Sequence, residues 1–125
     1  MQTIAIVEDN ASNMKLIMGV LERAGYQILP ATDADVAIPL IREHLPDLVL
    51  MDMHMPGTNG LEATRLLKNE KKTCHIPIVA VTARAMDGDR ESILAAGCDA
   101  YTSKPIRYKE LLVLIEQMLK GEKLV

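Results

Sequence analysis

The sequence predicts an α/β fold in which strands and helices alternate five times and the strands form a parallel sheet between helical layers. Short apolar runs recur along the chain, and the segments between them carry apolar residues at helical spacing. Runs that are apolar at every position are typical of strands buried on both faces, and βα alternation favours a parallel sheet. The apolar runs end at groups able to bind phosphate or metal, namely Glu8-Asp9, Asp52, Thr82 and Lys104. Because the carboxyl ends of parallel strands lie along one edge of an open sheet, we expect these groups to meet in one crevice.

The apolar runs and the helical patterns set the expected order of elements. Strands are predicted at about 3–8, 26–31, 47–52, 76–82 and 99–103. Helices are predicted at about 11–24, 33–45, 61–70, 85–96 and 107–120. The helix residues expected to face the core are Met14, Ile17, Leu21, Ala24, Ala34, Ile38, Ile41, Leu45, Leu111, Leu112, Ile115, Met118 and Leu119.

Helix-capping and helix-terminating residues support the first two predicted helices. Asn10 or Ser12 can cap the first helix, and Gly25 lies where a left-handed residue commonly ends one. Asp33 can cap the second helix. Pro39 lies inside that helix and removes one backbone hydrogen bond, so we expect it to kink or split the element.

Glycine and proline residues indicate the turns and helix ends of the later βα units in the same way. Pro56 and Gly60 shape the long loop expected at 53–60, after the third strand. Gly88 is expected to weaken the first turn of the fourth helix. Gly121 ends the fifth helix, which completes the last unit.

Composition bounds the class of protein. A chain of 125 residues, 49% of them apolar, is predicted to be one domain (1–125, with its core at about 3–120) without an output domain. The formal net charge of −3 argues against nucleic acid as a partner. The sequence has no membrane-spanning run and no room for a signal peptide before the first strand, so a cytoplasmic location is expected. Cys74 and Cys98 are then expected to be reduced, buried thiols.

Four motifs occur in order at the ends of successive strands. They are Glu8-Asp9, Asp52 with the following Met-His-Met-Pro-Gly-Thr-Asn-Gly, Val81-Thr82-Ala83, and Lys104-Pro105. Together they resemble the receiver domain of two-component response regulators over nearly the whole chain. The stretches 8–15 and 82–90 are most similar to DivK-like single-domain receivers of cell-cycle control. The resemblance implies a doubly wound, flavodoxin-like sheet with strand order 2-1-3-4-5, flanked by five helices.

The acidic residues suit phosphoryl transfer to a carboxylate. Asp52 is the expected phosphoryl acceptor, but its attack on a phosphoryl dianion meets like-charge repulsion that a divalent cation can offset. Glu8 and Asp9 are placed to hold Mg²⁺ (or Mn²⁺), which prefers oxygen ligands. The resemblance implies that Asp9 and Asp52 ligate directly, that the backbone carbonyl of His54 supplies another oxygen, and that Glu8 acts through water. Without metal, mutual repulsion should raise the pKa of at least one of these carboxyls.

Three further residues are expected to act with the phosphoryl group. Lys104 is a compact charge suited to pairing with a phosphoryl oxygen, and the resemblance implies that the Lys104-Pro105 bond is cis. Thr82 offers a hydroxyl that would move to bond the phosphoryl group. Tyr101 resembles the aromatic switch that turns inward as the threonine moves. The protein is then no enzyme with turnover, because it catalyses only its own phosphorylation and slow dephosphorylation.

The resemblance also implies partners. A histidine kinase or a histidine phosphotransferase would supply the phosphoryl group at a face formed by Asn13, Met14, Ile17, Pro105 and Ile106. Phosphorylation would alter the surface of the fourth helix, fifth strand and fifth helix, and a downstream protein would bind there. The receiver itself is expected to be a monomer or a weak dimer. The residues expected on that surface are Met86, Tyr101, Ile106 and Tyr108.

Alternative functions stay open at the level of sequence. A haloacid-dehalogenase-type phosphatase also uses an aspartate nucleophile, but it needs an aspartate where this chain has His54. A flavodoxin-like electron carrier shares the fold, but Glu8-Asp9 would repel its phosphate. The chain could also be the receiver module of a hybrid kinase. His54 could itself carry phosphoryl, or its side chain could, with Arg84, affect how water reaches the site.

Overall fold

The structure is a computed structural model that describes residues 1–54, 59–83 and 89–121. Within these ranges strands and helices alternate, as predicted. The strands are β1 (Thr3–Val7), β2 (Gln27–Ala31), β3 (Leu48–Asp52), β4 (Ile78–Thr82) and β5 (Ala100–Ser103). The helices are α1 (Ala11–Arg23), α2 (Ala34–His44), α3 (Gly60–Lys68), α4 (Asp89–Ala96) and α5 (Tyr108–Leu119).

All strand pairs are parallel, and the sheet order is β2-β1-β3-β4-β5. This confirms the predicted doubly wound α/β fold. One layer contains α1 and α5, whose buried residues form a cluster with one face of the sheet. The other layer contains α2, α3 and α4, which contribute buried residues to the cluster on the opposite face. None of the described helices has the length and apolar character needed to cross a membrane.

The predicted caps of the first two helices are confirmed. The side chain of Asn10 accepts a hydrogen bond from the backbone N–H of Asn13 at 2.9 Å, so Asn10 rather than Ser12 caps α1. Asp33 accepts from the N–H of Val36 at 2.8 Å and caps α2. Gly25 has φ of 98°, the left-handed backbone that a residue with a side chain rarely adopts.

Pro39 does not split the second helix, which was one of the two effects expected of it. The helix continues from Ala34 to His44 around it. Pro39 itself is exposed, whereas Ala37, Ile38 and Ile41 on the inner side are buried against the sheet. Burial of that apolar face offsets the single backbone bond that proline cannot make.

Several predicted positions are corrected at the ends of elements. Ala24 is exposed because it lies at the C-cap of α1, beyond the last turn that faces the sheet. Leu45 is 41% exposed because it adopts a left-handed φ of 47° as the C-cap of α2. β2 is largely exposed or half-buried because it forms one edge of the sheet, and only the central strands β1, β3 and β4 are buried along nearly their whole length.

The two cysteines differ, which corrects the expectation that both are buried. Both are free thiols, but Cys74 is exposed in the turn before β4. Cys98 is buried, and its burial raises the pKa of the thiol to about 11. Among the other predicted features, the loop residue Pro56 and the predicted first residues of the fourth helix (85–88, including Gly88) lie outside the described residues.

Candidate functional site

The strand register brings the predicted site residues to one edge of the sheet. Val7, the last residue of β1, pairs with Met51, and Asp52 at the end of β3 pairs with Val81. Thr82 ends β4 beside Ser103 of β5. The residues that follow these strands therefore lie along the same carboxyl edge, as the sequence predicted.

The three predicted acids form one cluster. Glu8, Asp9 and Asp52 each offer a carboxylate oxygen, and these oxygens all lie within 4.8 Å of one another. Glu8 is only 3% exposed and Asp52 only 2%, whereas Asp9 is exposed at the rim. Three hard oxygen donors at this spacing, open to solvent on one side, are of the kind and separation that a divalent cation requires.

The environment of Glu8 favours its neutral form. The pKa of Glu8 is raised to about 7 by several effects together, of which burial is the largest. The N–H of Asn10 lies 3.2 Å from Glu8 Oε2 and opposes this rise, because it stabilises the carboxylate. A hydrogen bond with Asp52 and the charge of Asp52 raise the pKa further, whereas the charge of Lys104 lowers it. The predicted repulsion between the acids is thus present at Glu8.

Lys104 supplies a positive charge to the cluster. Its Nζ donates to Asp52 Oδ2 at 3.1 Å, and its side chain is 28% exposed, so the ammonium lies between the buried aspartate and solvent. Its backbone N–H donates to the Thr82 carbonyl at 2.8 Å, which fixes the start of the segment after β5. The Lys104-Pro105 peptide bond is cis, as the resemblance implied.

The structure also places His54 in the site through its side chain. The backbone N–H of His54 donates to Asp52 Oδ1 at 3.0 Å. Its imidazole Nε2 lies 3.1 Å from Thr82 Oγ1, within hydrogen-bond distance. The sequence reasoning assigned His54 a backbone carbonyl and an effect on water, and did not foresee this contact. The expected sheet order held a partial signal, because it makes β3 and β4 neighbours. His54 follows β3 and Thr82 ends β4, so both residues lie at the same edge of the sheet.

Two contacts around the site involve Gly60 and Tyr101. A Cβ on Gly60 would lie 2.5 Å from the Asp52 backbone oxygen, so only glycine allows α3 to begin this close to β3. Tyr101 in β5 is half-buried against the core, and the guanidinium carbon of Arg90 lies 6.0 Å from its ring centroid. Sequence reasoning did not identify Arg90, because the contact depends on how α4 packs beside β5.

Comparison with known proteins agrees with this geometry. The family model described as the response regulator receiver domain matches residues 4–116. The chain belongs to the response regulator receiver family. It is 45% identical to the polar-differentiation response regulator DivK of Brucella ovis over 118 residues, which is 94% of this chain and 96% of that protein.

Solved receiver structures are similar over the whole fold. The receiver domain of a sensor histidine kinase from Pseudomonas aeruginosa PAO1, solved with a magnesium ion in its active-site cleft, is 35% identical with a TM-score of 0.88, and covers 97% of this chain and 98% of that chain. The receiver domain of a signal transduction histidine kinase from Syntrophus aciditrophicus is 27% identical with a TM-score of 0.91, and covers 100% of this chain and 95% of that chain. The receiver fold and family are therefore shown, rather than the haloacid-dehalogenase or flavodoxin family.

One predicted contact face of this receiver needs correction. Met14 and Ile17 are buried against the sheet, because they belong to the inner stripe of α1, and cannot form the surface that a phosphoryl donor touches. The outer side of the helix presents Leu16, which is 57% exposed. A groove of about 1090 Å³ runs along α1, and Glu8, Asp9, Lys15, Leu16 and Tyr108 are among its lining residues.

The predicted output surface of the receiver is described only in part. Tyr101, Ile106 and Tyr108 are half-buried, so each presents some surface to solvent. Met86 lies outside the described residues, as does Arg84, which sequence reasoning had associated with His54.

Proposed function

We propose that this receiver accepts a phosphoryl group on Asp52 and uses it to switch its contacts with other proteins. The observation that carries the proposal is the position of the Asp52 carboxylate. One of its oxygens accepts from Lys104 Nζ and the other from the N–H of His54, and both Glu8 and Asp9 lie beside it. A carboxylate held between a cation and an acidic cluster is suited to phosphoryl transfer assisted by a metal ion.

The residues present fit a magnesium or manganese ion. Asp9 and Asp52 would hold it directly, the His54 backbone carbonyl would add an oxygen, and Glu8 would act through water. The fit is supported by the oxygen-only donor set and by the raised pKa of Glu8, which reflects first its burial and then the hydrogen bond and negative charge of the neighbouring Asp52. When bound, such an ion neutralises charge on the carboxylate and phosphoryl oxygens.

Lys104 and Thr82 would bind the phosphoryl group after transfer. The phosphoryl group adds about 1.5–2 negative charges. Shifting a two-state population from 1:99 to 99:1 takes roughly 5.5 kcal/mol of differential interaction. Two charge-assisted hydrogen bonds at about 1.5–3 kcal/mol each come close to this value, so these two residues permit a nearly complete switch without requiring one. Tyr101 in β5 would turn inward as Thr82 moves.

The proposed partners follow from the family and from the relatives. A histidine kinase or histidine phosphotransferase would donate the phosphoryl group, and a downstream protein would bind the surface formed by α4, β5 and α5. The similarity to DivK over 96% of that protein supports a single-domain regulator of cell polarity or division. The similarity to receivers of histidine kinases supports the alternative setting, a module of a hybrid kinase.

The acceptor is tested by labelling from a phosphorylated kinase of the source organism, in Mg²⁺, with Asp52→Asn beside the wild type. We expect the wild type to take one label per chain and Asp52→Asn to take none. Asp35→Asn, an exposed aspartate on α2, is the matched control and should label normally. The label should be released by hydroxylamine, which cleaves acyl phosphates. Undiminished labelling of Asp52→Asn would exclude Asp52, and an acid-labile label that survives alkali, as a phosphohistidine does and an acyl phosphate does not, would point to His54 instead.

A further inference from the structure

We propose that the His54 imidazole is a positioning group that holds the Thr82 hydroxyl in the unphosphorylated state and must release it when the receiver switches. The inference rests on the proposed phosphorylation of Asp52 and assigns the side chain of His54 a part in the switch. His54 Nε2 and Thr82 Oγ1 are 3.1 Å apart. The contact joins the segment after β3, which follows the acceptor Asp52, to Thr82 at the end of β4, the residue expected to respond to phosphorylation.

The backbone on both sides of this contact is fixed. The N–H of His54 donates to Asp52 Oδ1, and the N–H of Met53 donates to the Val81 carbonyl at 3.0 Å. The Thr82 carbonyl accepts from the N–H of Lys104. Because these bonds hold the main chain, the Thr82 hydroxyl can reach a new partner chiefly by rotation of its side chain. Such a rotation would move Oγ1 away from the imidazole and break the contact.

Burial gives the contact its energetic consequence. Thr82 is 0% exposed, so its hydroxyl cannot exchange a protein partner for bulk water at no cost. A bond to His54 that exists only before the switch stabilises the unswitched state relative to the switched one. The net value of one hydrogen bond corresponds to a factor of about 2 to 10 in the switching equilibrium. Removing the imidazole should therefore favour the phosphorylated conformation by that factor.

A double-mutant cycle measures this coupling with beryllofluoride as an analogue of the phosphoryl group, bound at equilibrium in saturating Mg²⁺ and followed by calorimetry. His54→Phe keeps a ring and the backbone carbonyl but removes the nitrogen atoms, and Thr82→Val keeps the shape but removes the hydroxyl. We expect His54→Phe to bind beryllofluoride about 2- to 10-fold more tightly than the wild type. In the Thr82→Val background the same change should have no effect, because the hydroxyl through which it acts is gone.

The outcomes separate this inference from the proposed function. If the wild type binds beryllofluoride and His54→Phe binds it with equal or lower affinity, the positioning role is overturned while phosphorylation of Asp52 stands. An equal effect in both backgrounds also overturns it, because the side chain would then act on the phosphoryl group or on water directly. If the wild type neither binds beryllofluoride nor accepts phosphoryl, the proposed function itself fails. His54→Ala, at the same exposed position, gives the same expected result and serves if the phenylalanine variant does not fold.

Discussion

Glu8 shows how the fold changes the chemistry of a single residue. Its place beside Asp9 at the end of the first strand was readable from the sequence, because the apolar run stops there. Its protonation was predictable only as a tendency, since it depends on burial and on Asp52, a residue 44 positions away that the fold brings within hydrogen-bond distance. With a pKa of about 7, this carboxyl gains and loses its proton close to physiological pH.

The raised pKa of Glu8 predicts a pH dependence of stability in the metal-free protein. The folded state binds this proton more tightly than the unfolded state, whose carboxyl has a pKa near 4.5. The unfolding free energy should therefore rise as the pH falls through 7 toward 4.5, and this gain should be absent from Glu8→Gln. The difference between the two proteins should change by about 2–3 kcal/mol between pH 8 and pH 5.

Urea unfolding in EDTA at several pH values measures this difference. Glu22→Gln, an exposed position on α1, is the matched control and should follow the wild type. A constant difference between wild type and Glu8→Gln across the range would contradict the raised pKa of the buried carboxyl.

His54 marks the limit of prediction at the scale of residues. The motif after Asp52 indicated the position of its backbone, but the contact of its imidazole with Thr82 depends on a rotamer and on the register of two strands. Periodicity and motif spacing contain neither quantity. The same limit applies to Arg90 and Tyr101, which meet only because α4 lies beside β5.

At the scale of elements, α1 shows that one helix face cannot serve two purposes. Its spacing correctly predicted Met14, Ile17 and Leu21 as core residues, yet Met14 and Ile17 were also assigned to the donor-binding face. A residue whose side chain packs on the sheet has no surface left for a partner. If α1 contributes to the proposed donor surface, it does so through exposed residues on its outer side, among them Lys15 and Leu16.

Leu16→Asp should weaken phosphotransfer from a protein donor. An exposed leucine that lines the same groove as Glu8 and Asp9 is a suitable anchor for an apolar partner surface, and a charge there must be desolvated on docking. We expect the rate of transfer from the phosphorylated kinase or phosphotransferase to fall at least 10-fold at subsaturating donor, as for loss of more than about 1.4 kcal/mol of docking energy. Loading from acetyl phosphate should be unchanged, because that donor needs no docking surface.

The control for this prediction is Val36→Asp. Val36 is also an exposed aliphatic residue, but it lies on α2 in the opposite layer of helices. It should leave both reactions unchanged. Equal rates of transfer to Leu16→Asp and to the wild type would show that Leu16 on the outer side of α1 is not part of the docking surface.

Lys68 shows an element-scale interaction that sequence patterns did not reveal. In the structure its Nζ donates to Asp99 Oδ2 at 2.7 Å and to the Ile76 carbonyl at 2.8 Å, and the same aspartate oxygen accepts from the N–H of Ile78. The ammonium thus ties the end of α3 to the starts of β4 and β5, at the edge of the sheet opposite the acidic cluster.

At the scale of the molecule, the fold was predictable because its rules are local and repeated. Buried strands, helical spacing and caps each indicate their own element, and parallel pairing then places the strand ends together. The departures lie where an element meets solvent: at the exposed edge strand β2 and at the C-caps Ala24 and Leu45. Sheet order came from the family resemblance, since local patterns do not state which strands are neighbours.

The acidic cluster predicts that Mg²⁺ stabilises the whole chain. Folding places three carboxylates at one point, and the unfolded chain has no such site, so a cation that binds there stabilises only the folded state. At a concentration 100 times its Kd, Mg²⁺ should add about 2.7 kcal/mol to the unfolding free energy and raise the Tm by about 10 °C. Asp9→Asn should lose most of this rise, because Asp9 is exposed at the rim and is proposed as a direct ligand, whereas Asp35→Asn should keep it. Thermal unfolding at constant ionic strength, with NaCl replacing MgCl₂, separates site binding from screening. A wild-type Tm that Mg²⁺ leaves unmoved, or an equal rise in Asp9→Asn, would show that the cluster does not hold the ion.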